Sequence, residues 1–215
     1  MTNNWKVNML LGIFVALLIG MNLLGVKVVE IFGIAVSVGI FMAPITFLIT
    51  DIIEEVYGKK VVGNFLATGL TSLIIVFVYT AIFVVLEPAG RYDYNEEYRI
   101  IFGSSLRIMA ASFVAFSLAQ LNDMFVFEFL KNKTEGRSLW LRNNISTMLS
   151  QAIDTFVFMF IAFWQITPKF DLAFIISLAI PYYLFKIAFA ALDTPLVYLG
   201  VWWLREENTT TIHEE

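Results

Sequence analysis

The sequence predicts an all-α integral membrane protein with six transmembrane helices and both termini cytoplasmic. Three observations predict it. Of 215 residues, 59% are hydrophobic and 15% charged, and mean hydropathy is +0.78, well above the roughly 45–50% apolar content of soluble domains. Six apolar runs, at about 7–26, 32–50, 61–86, 100–130, 145–166 and 172–204, reach or approach the roughly 20 residues that a hydrocarbon core requires. With the N-terminus inside, the inner connections hold Lys6, Lys59, Lys60, Lys131, Lys133, Arg137, Arg142 and Arg205, against Lys27, Arg91, Arg99 and Lys169 outside. That bias sets the orientation. One membrane transport domain over 1–215 follows, with a short polar cytoplasmic tail at 205–215 and no room for a soluble catalytic or nucleic-acid-binding domain.

The first run follows Lys6 and is longer than the 7–15 residues of a signal-peptide core, with no small-residue cleavage site after it, so it reads as a retained span. Asn22 is a polar candidate within it, and Lys27 can snorkel to the interface. The second run holds Pro44 and ends in Thr50-Asp51-Ile-Ile-Glu54-Glu55-Val-Tyr57-Gly58-Lys59-Lys60, where Gly58 is a stop signal and the lysines complement the helix dipole. After the third run, the connection from Glu87 to Arg99 is rich in Tyr and charge and reads as a solvated loop. Prolines 44, 181 and 195 each fall within a run, where a proline kinks a helix or frees a carbonyl beside a cavity.

The fourth and fifth runs carry a repeat. Gln120-Leu-Asn-Asp123-Met-Phe-Val-Phe127 and Gln151-Ala-Ile-Asp154-Thr-Phe-Val-Phe158 use two of the chain's three glutamines at the same offset from an aspartate. An Asp at a membrane-helix centre costs about 2.5–3.5 kcal/mol on insertion scales, so a repeated one marks a polar pathway rather than an anchor. Gln at i and Asp at i+3 share a helix face, and the two helices run antiparallel around the basic hairpin from Lys131 to Arg142. If the fifth helix starts near Asn143, each Asp sits roughly 10–17 Å from the cytoplasmic end. This suggests an inverted relation between helices 4 and 5, of the kind that frames midplane sites in transporters. In the sixth run Lys186 and Asp193, seven apart, fall on one face, and Asp193-Thr194 echoes Asp154-Thr155. Lys186 is suited either to an ion pair with Asp154 or Asp193 or to substrate contact. Arg107 lies roughly 24 Å from Asp123 along the fourth helix, toward its outer end.

Several chemistries are excluded. Cysteine is absent and the one histidine, His213, lies in the tail, which removes disulfides, thiolate or histidine metal sites and cysteine nucleophiles. No Walker string is present, so nucleotide hydrolysis by that route is absent. No cofactor is called for. An intramembrane aspartyl enzyme built on Asp123 and Asp154 is the rival from another class, but the flanks lack the glycines that would open the backbone. A scaffold has no use for so many intramembrane charges. Most of the 21 Phe and 5 Trp read as lipid-facing or core, and Trp202-Trp203 as an interfacial belt.

The chain resembles the queuosine precursor transporters, the YhhQ family, formerly grouped as putative vitamin uptake transporters. The resemblance rests on Thr50-Asp51 with Glu55-Val-Tyr-Gly58, Arg107 with Ala111-Ser112-Phe113, Gln120 to Phe127, Leu139-Trp-Leu-Arg142-Asn143-Asn144 with Ser146-Thr147, Gln151 to Thr155, and Phe185-Lys186 with Leu192-Asp193-Thr194-Pro195. It implies an inner-membrane carrier importing 7-deazaguanine bases, 7-cyano-7-deazaguanine and/or 7-aminomethyl-7-deazaguanine, for tRNA modification. Residue chemistry agrees with that cargo. A guanine-like edge offers an N–H and an amine to one carboxylate, and its carbonyl accepts from an amide or a cation. Gln120, Asp123, Gln151, Asp154 and Lys186 supply those groups, with Asp193, Asn22, Arg107, Glu55 and Asn144 as further candidates for the substrate path. The mechanism is that of a facilitator or a proton-coupled carrier. Uptake of another small solute, such as a vitamin or nucleobase, is the alternative within the class. The partners implied are the small-molecule substrate and the lipid bilayer, not nucleic acid. The sequence is compatible with a homo-oligomer and with an external ATPase partner, though the resemblance argues against needing the latter.

Overall fold

The computed structural model describes residues 5–133, 139–192 and 194–210, omitting within these the side chains at 120, 123, 124, 127, 131, 132, 139–144, 146, 147, 190, 191, 194 and 206–210. Helix α1 spans Trp5–Leu24, and an antiparallel hairpin follows, β1 at Val28–Ile31 and β2 at Ile34–Ser37. A 3-10 turn at Val38–Phe41 leads into α2 (Ala43–Tyr57). Then come α3 (Lys59–Val85), α4 (Asn95–Lys133), α5 (Leu139–Phe163), α6 (Leu172–Leu192) and α7 (Thr194–Thr210). Among the described residues, α1, α3, the 95–119 part of α4 and the 172–189 part of α6 are long and apolar enough to cross a membrane, and α5 carries a shorter apolar stretch, Met148–Phe163.

The second run is not one helix. Its first third is hairpin, closed by Phe32 and Gly33 at φ 50° and 78°, the two positive values of a tight two-residue turn whose twist matches its strands. The Ser37 hydroxyl donates to the Gly25 carbonyl at 2.7 Å and accepts from the Gly39 N–H, which starts the 3-10 turn. Pro44 therefore sits in the first turn of α2, where its missing N–H has no partner to lose. It opens a helix rather than kinking one. Gly58, at φ 79°, stops α2 as the sequence predicts, and α3 starts at the next residue. The last run also divides. α6 ends at Leu192 and α7 begins at Thr194, with Pro195 in the opening turn, so of the three prolines only Pro181 lies within a helix.

Two separate apolar cores result. The first joins Val36 and Ile40 of the hairpin region to Ile108 and Ala111 of α4, Met159, Ala162 and Phe163 of α5, and Ile175, Leu178 and Ala179 of α6. The second joins Val7, Leu10 and Phe14 of α1 to Ile49, Ile52 and Ile53 of α2, Val62 and Phe65 of α3, and Val201 and Leu204 of α7. Where lipid is as apolar as leucine, such cores cohere by close van der Waals fit rather than by water exclusion. Gly69 and Gly200 show how close the fit is: a Cβ on Gly69 would lie 2.7 Å from Phe14, and one on Gly200 would lie within the side chain of Ile52.

Candidate functional site

Gln151, Asp154 and Thr155 stand at i, i+3 and i+4 on α5 and so share one face. Counted along the helix, Asp154 is about 22 Å from Leu139 and about 14 Å from Phe163. It lies farther from the start of its helix than the sequence suggests because α5 begins at Leu139 rather than near Asn143. The Lys186 ammonium of α6 donates to Asp154 Oδ2 at 2.6 Å, and the two side chains are 10% and 29% exposed respectively. Of the two partners open to Lys186, the structure gives Asp154; Asp193 lies outside the described residues. The ammonium also stands 5.8 Å from the Phe47 ring centre and 5.7 Å from that of Tyr182, a distance at which ring faces attract a cation. Beside it is a tight cleft, without room for a water molecule in this structure, lined by Ala43, Pro44, Phe47, Tyr182 and Phe185 together with Lys186.

The same α5 face carries two buried oxygens with no hydrogen-bond partner, Gln151 Oε1 and Thr155 Oγ1. Thr155 is 1% exposed. An unmet buried polar atom costs about 1–3 kcal/mol, so two of them beside a half-buried ion pair make this face a candidate for binding a polar group. Thr155 is a residue that site reasoning from sequence missed. Its signal was present in the echo between Asp154-Thr155 and Asp193-Thr194.

The other expected residues divide by what engages them. The Asn122 amide donates to Ser150 Oγ at 3.2 Å, which sets the two copies of the repeat side by side, although the side chains of Gln120, Asp123 and Asn144 lie outside the described residues. Asn22 is 1% exposed; its amide donates to the Leu18 carbonyl at 2.9 Å and its oxygen accepts from Ser112 at 2.7 Å. It ties α1 to α4. Glu55 is exposed and faces Arg205 at 3.9 Å, at the end of the molecule where Lys6 donates to the Trp203 carbonyl at 2.8 Å.

Arg107 does another task. Its Nε donates to the Ile161 carbonyl at 2.6 Å and its Nη2 to the carbonyl of Trp164, so it supplies the C-terminal end of α5 with donors and a positive charge opposite the helix dipole. At about 1.5 kcal/mol or more for each charged hydrogen bond, Arg107→Met is expected to destabilise the protein by about 3 kcal/mol and to lower its thermal midpoint in detergent. An unchanged midpoint would remove this capping role.

Known proteins share much of this sequence. The family described as "Putative vitamin uptake transporter" matches residues 37–200. The chain is 33% identical over 179 residues to the "Probable queuosine precursor transporter" of Bacillus subtilis (strain 168), covering 82% of this chain and 76% of that one. It is 29% identical over 188 residues to the "Queuosine precursor transporter" of Escherichia coli (strain K12), covering 86% and 82%. A third relative, the "Probable queuosine precursor transporter" of Haemophilus influenzae (strain ATCC 51907 / DSM 11121 / KW20 / Rd), is 28% identical over 150 residues, 69% of this chain and 61% of its own. No solved structure matches the chain.

Proposed function

The chain belongs to the queuosine precursor transporter family, a group of membrane transporters, and from that premise we propose that it imports 7-cyano-7-deazaguanine and/or 7-aminomethyl-7-deazaguanine across the cell membrane for tRNA modification. The observation that carries this reading to particular residues is the Asp154–Lys186 pair with two unpartnered oxygens on the same face. In the resting protein Lys186 occupies one Asp154 oxygen. An arriving base places its ring N–H and exocyclic amine on the Asp154 carboxylate, and its carbonyl accepts from the displaced ammonium or from the Gln151 amide. Each partner of the pair then has a substrate group in exchange for the other. Gln120 and Asp123, from the first copy of the repeat, are assigned to the same substrate path in this proposal. Asn22 and Arg107 hold the scaffold.

The same proposal has six crossings in one transport domain: α1, the hairpin with α2, α3, α4, α5, and α6 with α7. Both termini are cytoplasmic. The gathering of Lys6, Lys59 and Arg205 at one end, beside the Trp5–Trp203 edge contact, supports a common side for the two chain ends. Transport runs by facilitation or proton coupling.

The test is uptake of labelled 7-cyano-7-deazaguanine by cells that cannot synthesise it, with adenine and guanine as competitors. We expect import that excess guanine analogues reduce and adenine does not. Equal competition by adenine would point to a general nucleobase carrier. No import by the wild-type chain would remove the deazaguanine assignment.

A further inference from the structure

The hairpin places a further carboxylate, Glu30, beside α6. Glu30 pairs in register with Ala35, and the apolar residues around it, Val28, Val29, Ile31 and Val36, pack on the core shared with α5 and α6. Between the hairpin and α6 a cleft of about 440 Å³ opens, lined by Glu30, Gly33, Ala35, Phe174, Ser177 and Pro181. That volume falls in the roughly 300–1,000 Å³ range of small-molecule sites.

The chemistry of the lining is one-sided. Among the described residues Glu30 has no ion-pair partner. Pro181, inside α6, has no N–H to give the carbonyl of Ser177 four residues earlier. A carboxylate residue and the residue whose carbonyl lacks its helical donor therefore line one cavity, with Phe174 in its wall and no basic residue in the lining. A ligand that fits is flat and rich in N–H donors. Along α6, Pro181 of this cleft is five residues from Lys186, about 8 Å, and the buried Tyr182 between them lines the inner cleft.

We propose that the Glu30 cleft is a first docking site, in which a donor-edged heterocyclic base is held by Glu30 and the Ser177 carbonyl before it passes Tyr182 to Asp154 and Lys186. The proposal rests on the transport reading above. It assigns capture and passage to two separate carboxylates. Weakening the first raises the concentration needed for transport, whereas weakening the second stops transport.

Two variants test it. Glu30→Gln keeps the shape and removes the charge of an exposed side chain. Without the charge-assisted hydrogen bond from the base, the half-saturating concentration for uptake of labelled 7-cyano-7-deazaguanine should rise about tenfold with the maximal rate retained. An unchanged half-saturation overturns the proposal. The chain contains no cysteine, so Ser177→Cys places a unique thiol in the cleft. In lipid nanodiscs, where both faces are accessible, a maleimide should label it, and saturating 7-cyano-7-deazaguanine should slow the labelling at least about tenfold if the base covers the thiol. A thiol that does not label, or that labels at the same rate with and without the base, overturns the docking site. If that happens while the wild type still imports, only the docking site falls; a wild type without import overturns the transport reading and this inference together.

Discussion

Asp154→Asn and Lys186→Met are each expected to abolish import, and exchanging the two residues, Asp154→Lys with Lys186→Asp, should return a stable protein to the membrane without returning import. The physical ground is the difference between what a pair does for the fold and what it does for a ligand. Removing one partner of a fully buried ion pair costs about 3–5 kcal/mol, because the other charge is left without compensation. Here Asp154 is 29% exposed and Lys186 10%, so the pair is not fully enclosed by protein and each single variant should cost less than that, about 2 kcal/mol. The exchange restores a salt bridge between α5 and α6 and with it most of that stability. It does not restore recognition, because the carboxylate now projects from α6, away from Gln151 and Thr155. Membrane abundance and thermal midpoint are read beside uptake. An exchanged variant that imports at the wild-type rate would make the pair purely structural and send the search for the substrate site elsewhere.

Thr155→Val separates the two roles by sign. The variant keeps the branched shape and removes a hydroxyl that is buried without a partner. If the fold alone mattered, stability should hold or rise, by about 1 kcal/mol for relief of the unmet group. If the hydroxyl serves the substrate, the half-saturating concentration for uptake should rise about tenfold, the equivalent of one hydrogen bond of about 1.4 kcal/mol. The expected result is the combination of a thermal midpoint unchanged or higher and import weaker at low substrate. A lower midpoint would show that Thr155 is part of the packing and would contradict a role in binding.

The membrane class and the repeat were legible because both are written in strong, local terms. A run of apolar residues is long or it is not, and two glutamines at the same offset from an aspartate stand out in a chain with three. The hairpin was hidden for the converse reason. Val28 to Ser37 is nearly continuous in apolar residues, and such a run shows no two-residue alternation by which to tell a strand from a helix. The Phe32-Gly33 turn was the available signal, between β-branched flanks. Without it Glu30 falls in an outer loop, whereas the hairpin lays it against α6. Pro44 reads as a kink only when the start of its helix is set too early. Arg107 and Asn22 stand in the sequence as polar residues within apolar runs, which fits substrate and scaffold equally well; only the third dimension shows the α5 carbonyls and the Ser112 hydroxyl that engage them.

The two apolar cores share no residue, and the chain alternates between them: α1 belongs to one, the hairpin to the other, α2 and α3 to the first again, α4 to α6 to the second, and α7 returns. Between them α4 packs closely on α1 and α3, and the contacts that cross include two hydrogen bonds, Ser105 to the Leu23 carbonyl and Ser112 to Asn22, and the Phe77–Phe113 edge contact. Close apolar packing has no substitute once it is parted, but a hydrogen bond can be exchanged for one to water or to a passing solute. Of the contacts between the two cores, the hydrogen bonds are the ones that water or a solute could replace. Asp154 and Lys186 stand on helices of the second core and Phe47, across their cleft, on a helix of the first, so the candidate cargo pair sits where the two cores meet.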